Sequence, residues 1–206
     1  MYKRQTVDVV HKNGGVFIAD EVQPGFARTG QAFFGFARHG IVPDMITMGK
    51  PMGNGIPISG LAAKEDVLAA FSDKLPYFNT FGGNPVSIAA AQAVLKYIKD
   101  ENLQEHCKKA GAALLKALKE VQERHPESVG DVRGAGLFLG FEFVKNDGNK
   151  TPDKDMALNV IEMLRDEHIL TSVIGHYGNI LKLRPPMVFS ENDIDWFATS
   201  LDKCIT

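Results

Sequence analysis

An aspartate, a lysine and a threonine, each beside a glycine-rich turn, are the residues whose types and order point to chemistry. In "GGVFIADEVQPGFARTG", residues 14–30, an apolar run predicted as a buried strand over Val16–Ala19 ends in two adjacent acids, Asp20 and Glu21. A carboxylate deprived of water there is costly unless a cation or hydrogen-bond donors meet it. Lys50 opens the glycine-bracketed loop of "MGKPMGNGIPISG", and Thr80 stands in the turn "NTFGGNPVS". In open α/β sheets the strand ends and the loops after them converge on the ligand crevice. A carboxylate, an amine and a hydroxyl gathered there suit pyridoxal 5'-phosphate: an acid for its pyridinium nitrogen, an amine for its aldehyde and a donor for its phosphate. The pyridinium is then the cation that Asp20 requires.

Each residue alone has a structural reading. A strand-end acid serves as a helix cap or an ion-pair partner, a glycine-flanked lysine as a surface residue, and "GGNP" as a turn. Their order and company favour the cofactor. Glu21 has two readings of equal standing, a structural ion pair with Arg28 of "FARTG" or a role facing substrate. The six histidines show neither i, i+4 nor H-x-x-x-H spacing, so they are read as structural and no metal site is expected.

The elements that must position these groups alternate between strand and helix over the first hundred residues, which predicts an α/β fold with a mainly parallel sheet and crossover connections. A short aromatic helix is expected in "QAFFGFARHG", a strand at Met45–Thr47 and another in "ISGLAA". Helical periodicity from Pro85 through "VSIAAAQAVLKYIKDENLQEHCKKAGAALLKALKEVQERH" predicts two helices joining two domains, 1–100 and 101–206. Beyond them, "VGDVRGAGLFLGFEFVK" alternates like antiparallel strands, "DKDMALNVIEMLRDEHI" is an amphipathic helix, and "NILKLRPPMVF" is a strand stopped by prolines. The second domain is therefore a small α+β unit. Its last helix is expected to open at Ser190 with Asp193 three positions on, as a capping box does.

The bulk composition narrows the class. A chain of 206 residues, 44% apolar and 23% charged with a net charge of -2, can bury a true core and carries no basic cluster for nucleic acid or an anionic membrane. No apolar run is long enough to span a bilayer. Cys107 and Cys204 lie far apart and match no C-x-x-C pattern, which points to a reducing compartment, read as the cytoplasm. Residues 1–5, "MYKRQ", look like a translated sequencing adapter, and "VDVVHKNGG" reads as the end of a helix without a cap. Both suggest a start lying upstream.

"FIADEVQPGFARTG", "PDMITMGKPMGNG" and "FNTFGGNPVS", in this order, resemble the class III aminotransferases, from about Val10 to the C-terminus and over about the latter half of a family member. The resemblance implies the C-terminal part of a fold type I large domain followed by the small C-terminal domain. It also implies that Asp20 holds the pyridinium nitrogen, that Gln23 lies near the ring hydroxyl and that Lys50 bonds the cofactor aldehyde. Thr80 would reach the phosphate in the neighbouring subunit of a homodimer with shared active sites. An upstream half would supply a further phosphate-binding loop, a ring-stacking aromatic and part of the sheet, so the isolated chain is expected to fold poorly and to be inactive.

The implied reaction moves an amino group between small amines or amino acids and oxo acids, with Lys50 carrying the proton taken from the substrate Cα. Many members read R-x-x-P-P where this chain has "KLRPP", so Lys182 stands in the place of the arginine that clamps the substrate carboxylate, with Arg184 two residues on. Lysine lacks arginine's planar fork, but two cations on one strand face suit a phosphate or a carboxylate. The same stretches resemble alanine-glyoxylate aminotransferase 2-like enzymes and the ethanolamine-phosphate and phosphohydroxylysine phospho-lyases, which expel phosphate without an oxo acid. A third reading, a non-catalytic α/β module, is opposed by the presence of Lys50.

Overall fold

The computed structural model describes residues 2–205; Met1, the first residue of "MYKRQ", lies outside them. Contacts divide the chain into two compact units, one holding the residues through Ala27 with Gln31–Gln104, the other Arg28–Gly30 with Glu105 onward.

The first unit opens with α1 (Tyr2–Lys12) and builds a three-stranded sheet in the order β1 (Ile18–Asp20), β2 (Met45–Met48), β3 (Gly60–Ala63). β1 and β2 run parallel, and β3 lies antiparallel on the far side of β2. β1 begins two residues later than its apolar run suggests. It also has only one covered face: Ala19 is buried, whereas Ile18 and Asp20, on the other face, are exposed. The aromatic segment folds as a 3-10 helix, Gly35–His39, with the rings of Phe26, Phe33, Phe34 and Phe36 in contact. Asp44, just before β2, ties the unit together. Its carboxylate accepts from the Phe17 N–H and Lys64 Nζ, each at 2.8 Å, and bonds His11 Nε2 at 2.7 Å, joining α1, the entry to β1 and the exit of β3. α2 (Glu65–Ser72) and α3 (Pro85–Asp100) follow. Asn84 caps α3 by accepting the Ser87 N–H at 3.0 Å.

In the second unit α4 (Leu103–Arg124), α5 (Lys154–Asp166) and α6 (Glu191–Ile205) surround a four-stranded antiparallel sheet. Its order is β4 (Val129–Gly134), β5 (Leu139–Phe143), β7 (Ile180–Leu183), β6 (Val173–Ile174). The alternation in "LFLGFEF" is realised: Leu139, Phe141 and Phe143 face inward against Leu181 and Leu183 of β7. Leu114, Leu118 and Val121 of α4 and Ala157, Val160 and Leu164 of α5 cover them at helical spacing. Each large side chain so buried contributes about 1.5–3 kcal/mol. α5 is capped by Asp153. α6 is capped as expected, with the Asp193 carboxylate accepting from the Ser190 N–H and Oγ at 2.8 and 2.7 Å. α2 and the two-residue β6 are too short to leave a periodic signal, and the sequence did not announce them.

Candidate active site

Parallel pairing sets the first part of the site. The register matches Asp20 with Thr47, so the C-terminal ends of β1 and β2 lie side by side. Lys50 follows Thr47 by three residues. The Asp20 carboxylate is exposed and oriented rather than neutralised: Oδ1 accepts from the Val22 N–H at 3.0 Å and from Thr47 Oγ1 at 3.5 Å.

Lys50 begins a 3-10 turn, Lys50–Gly53, two residues beyond the end of β2, and its φ of 30° places it in the left-handed region. A side chain bearing a Cβ avoids that region unless its surroundings hold it there, and such positions gather at functional sites. The surroundings do hold it. α3 packs on the 3-10 turn, and Ser87 Oγ donates to the Pro57 carbonyl at 3.0 Å, pinning the far end of the glycine loop. A carboxylate and a primary amine, both exposed at one end of a parallel pair, can meet a cationic ring nitrogen and an aldehyde on one ligand. Gln23 is half-buried in the turn that follows Glu21.

Of the two adjacent acids, the one that loses water is Glu21, 2% exposed. Its two oxygens accept the N–H groups of Gly35 and Phe36 at 2.7 and 2.8 Å, which closes the turn onto the start of the 3-10 helix. Of its two readings the structural one holds, with main-chain N–H groups as the partners of Glu21. Arg28 instead turns its guanidinium to two main-chain carbonyls, those of Leu137 and Pro185.

Thr80 lies on a separate turn before α3, exposed, where Asn79 Oδ1 accepts the N–H groups of Phe81 and Gly82 at 3.2 and 3.0 Å. Its neighbours Phe78 and Phe81 are 85% and 81% exposed.

In the second unit Lys182 and Arg184 line one cleft of about 490 Å³ with Thr171, Ser172, Pro185 and Trp196. Lys182 is fixed through its backbone: its N–H donates to Ser172 O at 2.8 Å, and its carbonyl accepts from Thr171 Oγ1 at 3.3 Å. Arg184 lies over the Phe138 ring, 5.8 Å from its centre, and burial lowers its pKa. Among the described residues no group of three or more His, Cys, Asp or Glu is placed to hold a metal ion, and no helix is long and apolar enough to cross a membrane.

The sequence profile described as aminotransferase class-III matches residues 2–205. The ethanolamine-phosphate phospho-lyase homolog 1 of Caenorhabditis elegans is 43% identical over 208 residues, covering 100% of this chain and 44% of that protein. The mitochondrial alanine–glyoxylate aminotransferase 2 homolog 2 of Arabidopsis thaliana is 41% identical, covering 98% of this chain and 42% of its own length. A solved phospholyase from Arthrobacter in complex with phosphoethanolamine superposes with a TM-score of 0.95 at 38% identity, over 99% of this chain and 48% of that one. A transaminase from the marine bacterium Virgibacillus superposes at 0.91 with 31% identity, over 99% and 48%. The chain thus spans less than half the length of these relatives.

Proposed function

The chain belongs to the class III aminotransferases, enzymes of the fold type I class that work with pyridoxal 5'-phosphate, and on that premise we propose that it carries the aldehyde-binding lysine and the small domain of an enzyme transferring an amino group from an amine or amino acid to an oxo acid. The observation that carries this reading is the Asp20–Thr47 register with Lys50, at positive φ, three residues on. The cofactor, when bound, supplies the electron sink. The chain supplies the proton handling. Asp20 would pair with the ring nitrogen and keep it protonated, and Gln23 would meet the ring hydroxyl. Lys50 would hold the cofactor through its aldehyde, and its amine is the group placed to move the proton at the substrate Cα. Lys182 and Arg184 hold the substrate's anionic group.

We further read the enzyme as a cytoplasmic homodimer in which Thr80 reaches the partner's cofactor phosphate. Two buried unpaired cysteines support the compartment, and the exposed Phe78 and Phe81 beside Thr80 support the dimer.

A second reaction is favoured by a specific observation. Two cations stand where a single carboxylate clamp is usual, and the relatives include a phospho-lyase homologue and a phospholyase bound to phosphoethanolamine. Elimination begins with the same proton abstraction by Lys50 but releases phosphate and ammonia and needs no oxo acid. The enzyme carrying this chain is to be given alanine with glyoxylate and, separately, phosphoethanolamine alone. Oxo-acid-dependent turnover without phosphate release is the result expected for transfer; phosphate release without an oxo acid replaces it with the lyase.

A further inference from the structure

The segment leaving β7, "RPPMVF", has little backbone pairing of its own, because Pro185 and Pro186 have no N–H to donate. Its carbonyls are taken by side chains from the same unit. Arg28 Nη1 donates to Pro185 O at 2.8 Å, Cys107 Sγ to Met187 O at 3.9 Å, and His106 Nε2 to Phe189 O at 3.1 Å. Every second carbonyl from 185 to 189 is therefore held. The three clamps are unequal. Burial pushes the Cys107 thiol up to about 11, so it stays a thiol and a weak, long donor. The Arg28 contact is short and charged, the stronger kind.

Arg28 reaches further than that one carbonyl. The same Nη1 donates to Leu137 O at 3.1 Å, and the Arg28 carbonyl accepts the Leu137 N–H at 3.0 Å. Leu137 precedes Phe138, the ring beneath Arg184, and Pro185 follows Arg184. Arg28 thus grips the backbone one residue away from each member of the Arg184–Phe138 pair. Its guanidinium is pushed below its ordinary pKa, first by burial and also by the charge of Arg184.

We propose that Arg28 is a positioning residue for the anion site: it sets the place of Arg184, and through it the affinity for the substrate's carboxylate or phosphate. The inference rests on the anion-binding role given to Arg184 above. Lysine at 28 keeps the charge, but its side chain ends one bond short of Nη1, the single nitrogen that serves both carbonyls.

The test is a double-variant cycle in the holoenzyme carrying this chain, with inorganic phosphate as the probe. Arg28→Lys, Arg184→Gln and the pair together are compared by phosphate affinity from calorimetry, by KM and kcat, and by melting temperature. Arg28→Lys is expected to weaken phosphate about tenfold, the cost of a displaced positioning contact, and to raise KM with kcat unchanged. The double variant is expected to bind no more weakly than Arg184→Gln alone, since Arg28 acts through Arg184. Additive losses overturn the proposal, as does full affinity in Arg28→Lys beside a loss in Arg184→Gln. Wild-type affinity in Arg184→Gln removes the anion role of Arg184 itself, and the inference with it. Should Arg28→Lys not fold, Arg28→Gln, a shorter neutral amide donor, takes its place in the cycle; the same weakening through Arg184 is expected, and unchanged affinity overturns the proposal.

Discussion

Asp44 accepts from three donors in separate stretches of the chain, and they hold its carboxyl well below the usual carboxylate range, Lys64 most, then the Phe17 N–H, then His11. A depressed carboxyl binds fewer protons folded than unfolded. The stability it contributes is therefore complete above the unfolded pKa of ~3.9 and is lost progressively as the pH falls below it. Urea unfolding of Asp44→Asn is expected to give lower stability than wild type at pH 7 and a smaller gap at pH 3; a gap that widens on acidification contradicts the assignment. In the second unit, Arg184→Gln is expected to raise KM for an anionic substrate by the ~1.5–3 kcal/mol of a charged hydrogen bond, with kcat little changed. At this scale the strand end that carries Asp20 and the glycine loop that carries Lys50 were legible, because apolar runs and glycines mark them in one dimension. The environments of Glu21 and Arg28 were not. Glu21 meets main-chain N–H groups, and the carbonyls that Arg28 holds lie 109 and 157 residues away, partners with no side-chain signature to read.

Elements announced themselves where burial is one-sided and sustained. β5, α5 and α6 show their periods and caps openly, and the structure builds them accordingly. β1 was placed early because "VFIA" is apolar throughout, whereas pairing with β2 starts at Ile18. One close approach gave no hint at all. Gly111, inside α4, abuts the backbone of Gly136 in the turn between β4 and β5; a Cβ at 111 would lie 2.3 Å from the Gly136 carbonyl. Exposed helical glycines gain about 0.5–1 kcal/mol on becoming alanine. Here the clash is with backbone, so the sign reverses. Gly111→Ala is expected to destabilise by about 1–3 kcal/mol, read as a fall in melting temperature of ~2–4 °C for each kcal/mol. A rise would show that the turn yields.

At the scale of the whole molecule, the proposed shared site turns on the exposed segment around Thr80. If Thr80 serves the partner's cofactor, mixing Thr80→Ala and Lys50→Ala chains of the enzyme is expected to restore part of the activity that each lacks alone, through hybrid sites. Full activity in a demonstrated monomer contradicts it. The central claim, that Lys50 is the residue bonded to the cofactor, has a direct measurement. The enzyme carrying this chain is loaded with pyridoxal 5'-phosphate, reduced with borohydride, digested and sequenced by mass spectrometry. The account predicts the reduced pyridoxyl group on the peptide containing Lys50 and its absence from Lys50→Ala; a label on a different lysine, or an active enzyme with no label at Lys50, would contradict it.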